Sequence, residues 1–308
     1  MTRAVVFAYH DVGVRCLATL LAHRVEVPLV VTHQDHPEEN IWFASVAELA
    51  HQHDIPTLTP QDPHAPEVAE RIRALQPDFL FSFYYRSMLR PELLQIAGKG
   101  AFNMHGSLLP KYRGRVPVNW AVIHGERETG ATLHEMAEKP DAGRIVDRQA
   151  VPILPNDLAV DVFRKVTLAA EIVLDRCLPA LLAGTAALSP QDLSRGSYFG
   201  GRRPEDGRID WKQDAWSIHN LIRAVAPPYP GAFSMIGKRR LRLLRTLYTD
   251  QKTAGAGAAT LFAANDKLYL RCADGRTLKV LDAEIDGQVL TPGNFRPLFG
   301  SDALVLTH

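Results

Sequence analysis

Ala4-Val-Val-Phe-Ala-Tyr9, then Val14–Leu21, then Val27-Pro-Leu-Val-Val-Thr32 is the stretch on which the fold turns. Two runs apolar without interruption flank a segment where Val14, Leu17, Leu20 and Leu21 recur at helical spacing. Continuous apolar, β-branched runs mark strands buried on both faces. Strand, helix, strand in that order makes a parallel pair joined by a crossover. The alternation continues outward. Asn40 is the expected cap of a helix running to about His53, Ile55–Thr59 a short strand, and Pro66–Leu75 a helix. Asp78–Tyr84 (DFLFSFY) and Ala101–His105 are further strands, with Pro91–Ala97 helical between them. Right-handed crossovers then give an α/β, doubly wound parallel sheet.

Thr129–Glu135 and Ile145–Val151 can extend that sheet, and Leu158–Leu182 is long enough for a closing helix. After Ser189 the texture changes. Arg195–Asp210 (RGSYFGGRRPEDGRID) is rich in Gly, Arg and Pro and reads as a linker or docking loop. A helix over Ala215–Val225 is followed by short runs: Ala232–Ile236, Arg240–Leu247, Ala259–Phe262, Leu268–Cys272 and Leu278–Ile285. Strands at that spacing suggest a smaller, OB-like β-barrel. The expected division is a catalytic domain over 1–203 and a C-terminal domain over 204–308.

The 308 residues carry 35 Lys+Arg against 34 Asp+Glu, a formal charge of +1, with 46% hydrophobic and 22% charged residues. That balance builds an ordinary core and argues against a surface made for nucleic acid. Cys16, Cys177 and Cys272 form no CxxC pair, so neither a zinc knuckle nor a disulfide framework is indicated. No apolar run approaches the ~20 residues of a membrane span, and the N-terminus lacks a signal-peptide core. A soluble, cytoplasmic protein is the expectation.

In an open parallel sheet, ligands bind beyond the carboxyl ends of the strands. After the first strand, Tyr9-His10-Asp11-Val12-Gly13 lacks GxGxxG, so its glycine reads as ordinary turn chemistry. The densest stretch follows the strand ending at His105: Asn103-Met-His-Gly-Ser-Leu-Leu-Pro110-Lys-Tyr-Arg-Gly-Arg115. Asn103 and His105 are two apart, so an extended backbone points both to one side. An amide and an imidazole converging there can bind one developing oxyanion. Asp141, in a turn between two expected strands, can set the protonation of the imidazole. His10, His33, His36, His51, His53, His124, His134, His219 and His308 offer no convergent set. They read as surface groups, and no metal is expected.

Asn103-Met-His-Gly-Ser-Leu-Leu-Pro110, Thr129-Gly-Ala-Thr-Leu-His134 and Asp141-Ala-Gly143 together resemble the folate-dependent formyltransferases. Within that superfamily the resemblance is closest to the formyltransferases of UDP-4-amino-4-deoxy-L-arabinose. Phe7–Asp11, Phe81–Arg86, Leu108–Arg115, Tyr198–Gly200 with Arg202–Asp206, and Arg223–Phe233 carry it. It weakens after about Lys238. The decarboxylase half of the bifunctional members has no counterpart in these 308 residues, and Phe199-Gly-Gly-Arg-Arg203 carries an extra glycine.

The resemblance implies 10-formyltetrahydrofolate as co-substrate, an amine on a nucleotide-linked sugar as acceptor, and no metal. It implies Asn103, His105 and Asp141 as the catalytic set, stabilising a tetrahedral intermediate. It also implies a folate site of Ser87, Met88, Leu89, Arg115 and the turn Ala137, Glu138, Lys139, Pro140, Asp141. Acceptor contacts are expected from Tyr9, Arg202 and Arg203, the arginines on a diphosphate. The expected partners are therefore small molecules, a sugar nucleotide and a folate, and not nucleic acid. Two alternatives share the same triad: a methionyl-tRNA formyltransferase and a formyltetrahydrofolate hydrolase. The first needs a basic surface, for which Lys238–Arg245 is the best feature; yet no Lys or Arg occurs from Val25 to Glu70.

Overall fold

The computed structural model describes residues 2–249 and 255–306. Its first half alternates β1 (Arg3–Ala8), α1 (His10–Ala22), β2 (Glu26–Val31), α2 (Val46–Gln52), β3 (Thr57–Leu58), α3 (Pro66–Ala74), β4 (Phe79–Phe83), α4 (Pro91–Leu94) and β5 (Gly100–His105). Then come β6 (Arg113–Gly114), α5 (Pro117–Ile123), β7 (Glu128–Glu135), β8 (Ile145–Pro152), α6 (Ala159–Leu182) and β9 (Tyr198–Phe199). The chain divides into two compact units. The first comprises Met1–Pro117, Thr129–Val151 and Arg164–Gly200; the second Val118–Glu128, Pro152–Phe163 and Gly201–His308.

In the first unit the main sheet runs β3-β2-β1-β4-β5-β7-β8. Pairing from β3 through β5 is parallel, as the buried apolar runs require. Val5, Phe7, Leu29, Val31 and Leu80 pack on one face against Val68 and Ile72 of α3 and Leu93 of α4. A Cβ on Gly13 would meet Val46 and Ala8, so that glycine lets α1 lie close to β1 and α2 rather than serving a phosphate. The Arg15–Glu171 ion pair and the His23–Asp175 contact at 2.8 Å tie α1 to α6. The sheet then reverses: β7 pairs antiparallel with β5, setting Asn103 opposite His134 and His105 opposite Thr132. The strands over 128–135 and 145–152 therefore extend the sheet as a mixed edge.

Two local expectations are corrected. Asn40 does not cap a helix; the cap of α2 is Ser45, five residues later, which accepts from the Glu48 N–H. Residues 40–44 are instead held by Asp11, which accepts from the Ala44 N–H, and by His10 stacked on Phe43 at 3.9 Å. Arg195–Asp210 is not wholly a linker, because β9 pairs in parallel with β6.

The second unit contains α7 (Ala215–Val225), β10 (Ala232–Ile236), β11 (Arg239–Leu247), β12 (Thr260–Ala264), β13 (Lys267–Arg271), β14 (Thr277–Ile285), β15 (Gln288–Val289), α8 (Pro292–Phe299) and β16 (Ala303–Val305). Its antiparallel sheet runs β10-β11-β14-β13-β12-β16, with β15 on β14. Among the described residues β10 and β16 are not paired, so the expected barrel is a half-barrel. On β11, Arg242 pairs with Glu284 and Arg239 with Asp286, while Arg240 lies 4.0 Å over the Phe233 ring. No helix among the described residues is long and apolar enough to cross a membrane.

His134 and His219 are 2% and 0% exposed, which corrects their reading as surface groups; His308 lies outside the described residues. His219 is satisfied as a neutral ring: Nε2 donates to the Pro155 carbonyl at 2.9 Å, and Nδ1 accepts from Thr246 Oγ1 at 2.7 Å. Burial pushes its pKa down to about 4. The unfolded chain therefore binds a proton here at higher pH than the fold does. Stability is complete above about pH 6.5 and falls as pH drops towards 4, by at most about 1.4 kcal/mol per pH unit from this group. Urea denaturation at pH 7, 6 and 5 checks this. His219→Gln should flatten the slope, and an unchanged slope would remove His219 as its source.

Candidate active site

The site grows from the carboxyl end of β5. Asn103 and His105 project to the same side of the strand, and the antiparallel register of β7 adds His134 beside Asn103. The loop after β5 is fixed from beneath. Thr132 Oγ1 donates to the Ser107 carbonyl at 2.6 Å and accepts from the Leu109 N–H at 3.2 Å; Ser107 Oγ donates to the Lys111 carbonyl at 2.6 Å.

Asp141 is where these groups meet. Its Oδ1 stands 3.5 Å from His105 Nδ1, 3.4 Å from His134 Nε2 and 3.5 Å from Asn103 Nδ2. Its Oδ2 accepts from the Gly114 N–H at 2.8 Å. Burial opposes ionisation of this carboxyl, but the positive charge of His105 and the Gly114 N–H outweigh it. They hold it well below the usual carboxylate range, so Asp141 is an anion at every physiological pH.

The donor count fixes the ring states. His134 Nδ1 lies 2.8 Å from the Glu135 carbonyl and must carry a hydrogen there; its Nε2 then accepts from Asn103 Nδ2 at 3.1 Å. His105 is different. Its Nε2 lies 2.8 Å from the Tyr112 carbonyl and its Nδ1 faces Asp141, so both nitrogens meet acceptors. Only an imidazolium has a donor at each. The cluster therefore presents an anion, a matched cation and an amide whose hydrogens can be redirected. His134, Gly114 and the Tyr112 carbonyl were not singled out in the sequence, although His134 ends the Thr129–His134 motif.

The other expected site residues divide between the two units. In the first, Ser87 is half-buried, Met88 is 57% exposed and Leu89 is buried. Arg115 donates to the Arg86 carbonyl at 3.3 Å, bringing it beside the 86–89 segment. Ala137, Glu138 and Lys139 are exposed, and Pro140 half-buried, in the turn that leads to Asp141. Tyr9 is buried at the end of β1, its hydroxyl donating to Asp35 at 2.5 Å and its ring 4.5 Å beneath the Arg86 guanidinium. Burial and that bond raise its pKa. Arg86 also pairs with Glu39, so both acids fasten the loop after β2. In the second unit, the Arg202 guanidinium lies 4.7 Å over Trp120 and donates to the Asp206 carbonyl, and Arg203 is exposed.

Residues 14–178 match the family model described as formyl transferase, and residues 202–295 match that of the formyl transferase C-terminal domain. Solved structures share the fold. One is an N-formyltransferase from Helicobacter canadensis in complex with folinic acid and dTDP-3-aminofucose, with a TM-score of 0.75 and 20% identity over 94% of this chain and 100% of that one. A second is WlaRD, a sugar 3N-formyl transferase, with a TM-score of 0.72 and 19% identity over 94% and 99%. A third is the methionyl-tRNA formyltransferase from Clostridium thermocellum, with a TM-score of 0.58 and 15% identity over 92% and 99%.

Proposed function

Since the chain belongs to the formyl transferase family, we propose that it moves the formyl group of 10-formyltetrahydrofolate to the amine of a nucleotide-linked aminosugar, specifically UDP-4-amino-4-deoxy-L-arabinose. The observation that carries this reading is the single carboxylate oxygen of Asp141 shared by His105, His134 and Asn103. The donor supplies an activated formyl carbon. The chain must then orient it, stabilise charge on its oxygen and manage one proton.

Exposed Met88 and Val116 offer apolar surface to a flat ring, and the 137–140 turn offers backbone groups, so this side of the first unit fits a folate. Asn103 is the donor free to turn towards the formyl oxygen, exchanging its bond with His134 or Asp141 for a stronger one to a developing anion. His105 acts through its positive charge, because Nε2 is already committed to Tyr112. As the amine nitrogen bonds to carbon, the old nitrogen–carbon bond breaks and one amine proton must leave. Asp141, kept ionised and so too weak a base to hold that proton, orients the water that relays it from the amine to the departing nitrogen and stabilises its charge in passage. Water in place of the amine would give the hydrolase reaction, so exclusion of water decides between them.

The charge around Tyr9 favours a compact acceptor. Asp35, Glu38 and Glu39 occupy the loop after β2, where no lysine or arginine stands. The cation that fastens it, Arg86, is spent on Glu39. A tRNA needs several uncommitted cations to replace its counterions. Competing UDP-4-amino-4-deoxy-L-arabinose, a dTDP-linked aminosugar and methionyl-tRNA in one reaction with 10-formyltetrahydrofolate at low salt tests the assignment. Formylated UDP-sugar should dominate. Formylation of tRNA at a matching rate, or release of formate with no acceptor modified, would overturn it.

A further inference from the structure

The turn that delivers Asp141 is held in a conformation it would not keep alone. Asp141 has φ 51°, in the left-handed region that costs a residue with a Cβ about 1 kcal/mol or more. Gln191, fifty residues away in sequence, spans this turn. Its Nε2 donates to the Asp141 carbonyl at 3.0 Å and to the Gly143 carbonyl at 2.6 Å. Turning the amide over would set Oε1 against two carbonyl oxygens, so the NH2 must face the turn. The consequence is a buried Oε1 with no hydrogen-bond partner among the described residues. Leaving an acceptor unpaired costs about 1–3 kcal/mol. The two bonds to the turn are therefore the purpose of this side chain.

A second support comes from the same stretch of chain. Residues 198–199 pair with β6, and that pairing aims the Gly114 N–H at Asp141 Oδ2. Gly114 has φ 96°, and any Cβ there would run into the Phe199 carbonyl, so this backbone arrangement demands glycine. Gln191 fixes the main chain of Asp141 while Gly114 fixes its carboxylate. Neither needs to touch a substrate.

We propose that Gln191 is a positioning residue for Asp141: its amide clamps the Asp141 and Gly143 carbonyls and so aims the carboxylate at His105, His134 and Asn103. The proposal rests on the formyl-transfer reading for its kinetic part only. A clamp of this kind acts on kcat through geometry, where a shift of about 1 Å costs up to about 100-fold.

Gln191→Met keeps the length of the side chain and removes both donors. It should fold with a near-native melting temperature and lower kcat by about 10–100-fold. Because the carboxylate is no longer aimed, the NMR titration of the His105 and His134 rings should also move to lower pH. Gln191→Glu adds a second arm that reports on donation alone. Its carboxylate has no hydrogen to give, whereas its protonated form has one. Activity relative to wild type should therefore rise as pH falls, which Gln191→Met cannot imitate. Imidazole titrations identical to wild type in the Met variant, or a Glu variant with a flat ratio across pH, would overturn the clamp. If the Met variant does not fold, the Glu ratio decides alone. If wild type transfers no formyl group to any acceptor, the functional reading fails, and the imidazole titrations still judge Gln191.

Discussion

Asn103→Ala lowers formyl-transfer turnover by about 10²–10³, with folate affinity little changed, if its amide is the donor to the developing oxyanion. Every other donor in the cluster is committed. His105 Nε2 faces the Tyr112 carbonyl, the Gly114 N–H faces Asp141 Oδ2, and His134 Nδ1 faces the Glu135 carbonyl. Asn103 has two hydrogens directed at His134 and, at 3.5 Å, at Asp141, so it can spare one. His105→Ala should cost as much by another route, because it removes the cation facing a buried carboxylate. The assay is single-turnover formyl transfer alongside equilibrium folate binding. Near-wild-type turnover in Asn103→Ala would end the oxyanion assignment. A loss confined to folate affinity would place Asn103 in binding instead.

Asp141→Asn is expected to be the most damaging substitution of all. The variant loses the anion that steers the proton relay and leaves the His105 Nδ1 donor without its partner. Two measurements separate these effects. By charge reciprocity, if His105 lowers the Asp141 pKa, then Asp141 favours the charged imidazole, and the variant's ring should titrate at lower pH. Activity that needs the cation would then fade at lower pH than in wild type. Stability gives the second check. A carboxyl held below its unfolded value stabilises the fold above about pH 4, and that contribution disappears as pH falls through the folded value. Asp141→Asn should therefore be less stable than wild type at pH 7 and converge on it in strong acid. An unchanged imidazole titration would remove the carboxylate from its electrostatic role.

Periodicity alone determined much of this protein. Unbroken apolar runs over residues 4–8 and 27–31, rich in valine, read as strands buried on both faces, and the helical spacing between them set the crossover order. The two-residue repeat of a strand put Asn103 and His105 on one side before any contact was known. Short-range pattern did less well where capping decided the outcome. Asn40 and Ser45 are both good caps, and the packing of Phe43 and Trp42 around His10 chose Ser45.

Only the tertiary structure brought His134, Gly114 and Gln191 to Asp141. His134 reaches Asn103 because β7 enters the sheet antiparallel, and strand direction and register are properties of a pair rather than of either strand's residues. Gly114 depends on a two-residue pairing with 198–199, inside a stretch whose composition said linker. His219 looked like any solvated histidine until its two partners, Pro155 and Thr246, closed around it. Local sequence specifies which face a side chain occupies. What that face meets depends on contacts across tens of residues, whose loop-closure cost is offset only when the whole fold forms at once.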